Sequence, residues 1–184
     1  LDRLNNEREA ERVQMIAYVA LLRAVNVGGL TLPMAELKAM CDEAGFEQAR
    51  TYIASGNAVF ASALSEAEVK AELERRLETF AGKRIVVLVR TAAELQAVAA
   101  ANPFPDANPS RNYVLFLDAA PAEDAIEAVR HRTVEELSPG KRELYIHYPD
   151  GMGRSNLMIP AAKTGTARNM NTVAKLAELA GELG

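Results

Sequence analysis

Five polar segments of this 184-residue chain combine glycine, serine, threonine or asparagine with, in most cases, one arginine or lysine. They are Arg23 with Asn26 and Gly28-Gly29, Ser55-Gly56-Asn57, Arg154-Ser155-Asn156, Lys163-Thr164-Gly165-Thr166, and Arg168-Asn169 with Asn171-Thr172. Anion sites are built from such parts. Glycine lets backbone N–H groups approach an oxyanion, hydroxyls and amides at a helix start add donors, and arginine grips two oxygens of a phosphate or carboxylate at once. All of these residues except Asn156, Thr164 and Gly165 are the expected contacts of a small anionic or nucleotide-like ligand. Between residues 141 and 172 five Lys or Arg stand against two acids, a basic stretch in an acidic protein.

Taken singly, each segment is also ordinary turn or helix-cap chemistry, with Asn171 or Thr172 as a cap. A single site therefore requires that the Arg23 loop and the Arg168 segment meet in space. No segment matches a phosphate-loop consensus or the dinucleotide fingerprint, so no cofactor is expected.

Other chemistries have thinner support. The two histidines, His131 and His147, have no neighbouring carboxylate pattern and give no metal ligand set. The one cysteine, Cys41, falls in the apolar stripe of a helix and is expected in the core. Ser155 with Lys163 has no diagnostic spacing for a serine–lysine pair. An enzyme alternative uses Arg23, Arg154 and Arg168 to hold an anionic substrate, with Asp150 as acid or base. A nucleic-acid alternative stacks bases on Tyr145 and Tyr148, although the acidic isoelectric point of about 5.4 weighs against it. A protein-interaction alternative pairs two chains into a homodimer through an exposed hairpin edge.

Composition bounds these readings. Nearly half the residues (49%) are apolar, a quarter are charged with the signs interspersed, and the net charge is −4, which argues for a folded globule over a polyanion binder. A single cysteine allows no intramolecular disulfide, and the cytoplasm is the expected compartment. No apolar run approaches the roughly 20 residues of a membrane span. Met15 is the expected natural start, with residues 1–14 an N-terminal extension lacking any signal-peptide pattern.

The elements that must position the polar segments can be read from periodicity. Residues 16–22 form a buried strand, and a helix opens near Pro33 with Met34, Leu37, Cys41 and Ala44 on one face. Strands at 50–53 and 58–61 flank the Ser55 turn as a hairpin. Capping boxes at Ser65 and Thr91 open two helices around a strand at 85–89. After a proline-rich linker at 102–110 come a strand at 113–117, a helix over 121–130, strands at 134–137 and 143–148, and a helix after Asn171. The fold class is α+β, two tandem β-α-β-β-α units divided as 15–101 and 111–184, with helices packed on antiparallel or mixed sheets.

Segments of this order resemble a known family. Residues 18–29 (YVALLRAVNVGG), Pro33-Met34-Ala35-Glu36-Leu37, the run 51–57 (TYIASGN), Asn102-Pro103-Phe104, the run 145–155 (YIHYPDGMGRS) and the run 166–172 (TARNMNT) are similar to the bacterial family of unknown function 1697. The resemblance spans residues 15 to about 181. It implies ferredoxin-like plaits and carries no known activity. Ala24 stands where that pattern usually has glycine, and Met170 where it usually has tryptophan, which removes an aromatic platform. The stretch 155–166 is shorter than in many relatives, and Pro160 opposes a helix through it.

Overall fold

In the computed structural model, residues 14–183 are described, so the expected extension lies, but for Gln14, outside them. The apolar run of β1 (Ile16–Leu22) is central because both its faces are covered: Tyr18, Ala20 and Leu22 enter one core, Val19 and Leu21 another. Helix α1 (Met34–Glu43) follows Pro33 and leads to β2 (Glu47–Thr51) and β3 (Asn57–Ser62). The Ser65–Glu68 capping box starts α2 (Glu66–Ala81), which stops at Gly82 in the left-handed conformation, φ 70°. Strand β4 (Val87–Thr91) closes an antiparallel sheet in the order β2-β3-β1-β4, the arrangement of a ferredoxin-like plait.

Thr91 ends β4 and caps α3 (Ala92–Ala100). A second antiparallel sheet then repeats the order as β6-β7-β5-β8, from β5 (Asn112–Phe116), β6 (Glu136–Pro139), β7 (Glu143–His147) and β8 (Thr166–Asn169). Asn169 caps the final helix, α4 (Met170–Gly181), by accepting from the Thr172 N–H at 3.0 Å. The cap is thus Asn169, two or three residues before the positions expected.

Three cores follow from this order. Helices α1 and α2 cover one face of the first sheet, where Leu37, Cys41, Leu73 and Leu77 surround Phe60, itself stacked on Phe46 at 4.4 Å. Helices α3 and α4 give Leu95, Val98, Val173 and Leu176 to a shared core with Val19 and Leu21 of the first sheet and Val114, Phe116 and Tyr145 of the second. The remaining face of the second sheet holds Leu115, Leu144 and Ile146 under Ile126, Leu157 and Ile159.

The second half departs from expectation in two places. Residues 121–130 make successive turns rather than a helix. Their alanines and glutamates favour helix, but ten residues are too few to hold one without extensive packing. The chain leaves the turns when Arg130 pairs with Met158 as an isolated antiparallel bridge, after which His131 takes φ 57°. The strand β8 was not expected; TARN is short and polar, and its burial comes from hydrogen bonds rather than apolar alternation. The last helix is therefore the counterpart of α3 rather than a crossover. Both crossovers of the second sheet are irregular, the later one holding two short 3₁₀ turns, Met152–Arg154 and Pro160–Lys163.

Candidate functional site

Each sheet ends in a strand with a buried arginine one residue before a helix cap: Arg90 before Thr91, and Arg168 before Asn169. They occupy matching registers, Arg90 opposite Val19 and Arg168 opposite Val114. The Arg168 guanidinium donates through Nη2 to the carbonyls of Leu22 (2.8 Å), Ser55 (3.0 Å) and Gly56 (3.3 Å), where β1 ends and β3 begins. Arg90 does the reverse, donating through Nη2 to Leu117 O and Arg142 O, where β5 ends and β7 begins. The two sheets are thus cross-stapled by reciprocal arginines.

Arg168 is saturated by this arrangement. Its Nε donates to Asn57 Oδ1 at 2.8 Å and its Nη1 to Thr166 Oγ1 at 2.7 Å and Ala167 O at 3.0 Å. Asn57 in turn donates to Tyr52 O and Ser55 Oγ. Every acceptor is neutral, and burial pulls the arginine pKa down to about 10, so it remains a cation at neutral pH with no carboxylate beside it. Gly56 has φ 91°, and a Cβ there would lie 2.5 Å from Val25 Cγ2, so the close approach of this turn needs glycine.

Arg23 lies on the same seam but turns toward solvent. Its Nε donates to Gly165 O (3.1 Å) and Nη2 to Ala162 O (3.4 Å), which ties the end of β1 to the segment before β8. Here the chain forms a cleft of about 490 Å³ lined by Arg23, Arg130 and Lys163, with Met158, Ile159, Pro160 and Ala162 as its apolar wall. The Arg130–Met158 bridge, closed by two 2.9 Å hydrogen bonds, brings Arg130 to it. Among the described residues, three cations and no acid line this cleft. None of the three forms an ion pair among the described residues.

The other sequence candidates divide among separate places. Asn26, at φ 57°, clips its own loop, accepting from Leu32 N and donating to Leu32 O and Ala54 O; Gly28 and Gly29 form the exposed tip. Arg154 and Ser155 line a hollow of about 30 Å³, the size of one water, together with Asp150 and Glu135. Ser155 donates to Glu135, and this bond, with the Thr133 N–H, holds the Glu135 pKa down to about 2. Asp150 is thereby grouped with Arg154, not with Arg23 and Arg168. Lys163 and Asn171 are exposed, while Thr166 and Thr172 are buried.

Tyr145 and Tyr148 are 2% and 8% exposed, and Tyr145 Oη donates to Val98 O, so neither ring is presented for stacking on a base. Among the described residues no three His, Cys, Asp or Glu side chains cluster, and no helix is long and apolar enough to cross a membrane. Sequence reasoning missed Arg130, because it was read as the end of a helix, and Arg90, because a charge within an apolar strand attracts no notice. The signal available was the repeated order of strand, arginine, cap and helix in Val89-Arg90-Thr91 and Ala167-Arg168-Asn169.

A family model described as a protein of unknown function (DUF1697) matches residues 15–145. Among solved structures, a conserved bacterial protein from Streptococcus pneumoniae superposes with a TM-score of 0.74 at 23% identity, covering 91% of this chain and 99% of that one. That likeness concerns the fold alone. No curated protein matches the chain.

Proposed function

The chain belongs to the DUF1697 family of proteins of unknown function, and from that premise we propose that the cleft beside Arg23 binds a small, multiply anionic ligand of the phosphorylated or nucleotide-like class. The observation that carries this reading is the set of three cations, Arg23, Arg130 and Lys163, lining one cleft with no acid among the described residues. Like charges gathered around a low-dielectric wall reinforce one another's field and repel one another until an anion enters. The volume of about 490 Å³ falls in the range of roughly 300–1,000 Å³ usual for small-molecule sites.

The parts have separable roles. Arg23 is held in orientation by Gly165 O and Ala162 O, and its Nη1 has no hydrogen-bond partner among the described residues, so it can present N–H groups to an oxyanion without reorganising. Arg130 and Lys163 are exposed and supply charge. Met158, Ile159 and Pro160 offer an apolar surface to a sugar face or a base. Arg168 contributes the field of a buried, unpaired cation behind the seam rather than a direct contact.

The test is calorimetric titration with inorganic phosphate, glucose 6-phosphate, AMP and ATP, repeated with Arg130→Ala combined with Lys163→Ala. Both residues are exposed, so the variant should melt like the parent. Loss of two cations should weaken binding by at least roughly tenfold, equivalent to about 1.4 kcal/mol. Absence of binding by every phosphorylated probe would refute the proposal.

A further inference from the structure

A second cavity, of about 600 Å³, lies elsewhere, between α3 and the β6–β7 hairpin. Ala93 and Ala97 of α3 and its C-cap Ala101 stand at four-residue spacing and form one wall; Val98, Pro103 and Pro139 extend it. Arg90 and Lys141 also line it.

Comparison of the two hairpins explains why the space is open here. Both turns are closed in the same way, Tyr52 N–H donating to Asn57 O and Gly140 N–H to Glu143 O. Asn57 and Glu143 hold corresponding registers opposite Leu21 and Phe116. In the β2–β3 turn Tyr52 packs its ring against the shared core. The β6–β7 turn is Gly140-Lys141-Arg142 and has no aromatic side chain, leaving the alanine face of α3 uncovered.

The charges around the cavity are unevenly matched. Arg142 is answered by Glu66 and Glu94. Glu143 accepts the N–H groups of Lys141 and Arg142, and Glu94 also accepts the Thr91 N–H. Lys141 is exposed and has no ion pair among the described residues. Arg90 is 1% exposed; it donates only to the carbonyls of Val89, Leu117 and Arg142, its Nε has no acceptor among the described residues, and it too has no ion pair. The wall thus carries three cations, Arg90, Lys141 and Arg142, against two carboxylates, Glu94 and Glu143, which act on Arg90 from a distance without pairing with it and are already engaged by Arg142, Thr91 and the turn N–H groups. This excess of positive charge beside an apolar wall favours one anionic group on an apolar body.

We infer that this cavity is a second binding site, distinct from the phosphate cleft, for a monoanionic amphiphile of the medium-chain carboxylate class. The apolar body lies along Ala93, Ala97 and Ala101, and the carboxylate meets Lys141 and Arg90. The alanine spacing sets the length of that body, because each four-residue step on a helix advances about 6 Å at roughly 1.5 Å per residue.

The experiment is calorimetric titration of the full chain with sodium decanoate below its micelle concentration, with 1-decanol and decylamine as controls. Decanoate should bind, and decylamine should not. Ala97→Phe, at an exposed helix position where a larger side chain costs little fold stability, fills the cavity and should weaken decanoate at least roughly tenfold. Lys141→Glu should weaken decanoate roughly tenfold and leave decanol unchanged. Arg130→Ala, in the other site, should leave decanoate affinity intact, which separates failure of this inference from failure of the phosphate proposal. No binding of decanoate, undiminished binding to a folded Ala97→Phe protein, or decylamine binding as well as decanoate would each overturn it.

Discussion

Replacing Arg168 by methionine tests the cross-stapled architecture with little change of volume. The substitution removes six donor contacts, of which five are 3.0 Å or shorter. Gly56 O keeps the Leu22 N–H at 2.9 Å, and Thr166 Oγ1 can reorient its own hydroxyl. Asn57 Oδ1 and Leu22 O lose buried hydrogen bonds from a charged donor, each worth about 1.5–3 kcal/mol. Relief of a desolvated guanidinium returns part of that loss, which leaves a destabilisation of about 3 kcal/mol. Against a total stability of about 5–15 kcal/mol this is large, and for a chain of this size it lowers the melting temperature by about 6–12 °C. Urea denaturation followed by circular dichroism measures it. Arg168→Lys should recover less than half, since an ammonium cannot span acceptors on three segments. A loss below about 1 kcal/mol for Arg168→Met would refute the reasoning.

Three further outcomes are expected. Gly56→Ala should cost about 2 kcal/mol in denaturant titration, because the left-handed φ and the 2.5 Å approach to Val25 Cγ2 both oppose a Cβ. Glu135 has its pKa lowered from 4.5 to about 2, so the stability it confers is complete above pH 4.5 and is lost as the pH falls toward 2; melting temperatures of the parent and Glu135→Gln should therefore converge on acidification. Cys41 is fully buried and desolvation pushes its thiol up to about 12, so a disulfide reagent at pH 8 should label it only as fast as the chain unfolds.

How far the sequence could be read differs by element. The capping boxes at Ser65 and Thr91 and the continuous apolar run of β1 are local signals, and the chain obeys them. Residues 121–130 carry equally good helix formers, yet the Arg130–Met158 bridge, 28 residues apart in sequence, governs their path, and no local rule contains it. For β8 the difficulty is reversed: TARN has no apolar alternation because its inward residue, Arg168, is satisfied by carbonyls of the other sheet. The same partition governs the candidate site. Arg23 and Arg168 do reach one seam, but whether an arginine there is a staple or a solvent-facing donor depends on how many carbonyls surround it. That number is set by tertiary contacts, and the composition of the turn does not reveal it.

The most direct test of the central proposal is amide chemical-shift mapping of isotope-labelled protein titrated with AMP. Saturable shifts concentrated at Arg23, Arg130 and residues 158–165, abolished by Arg130→Ala with Lys163→Ala, are the predicted result. Shifts confined to the hollow around Asp150 and Arg154, or no saturable shifts at all, would contradict it.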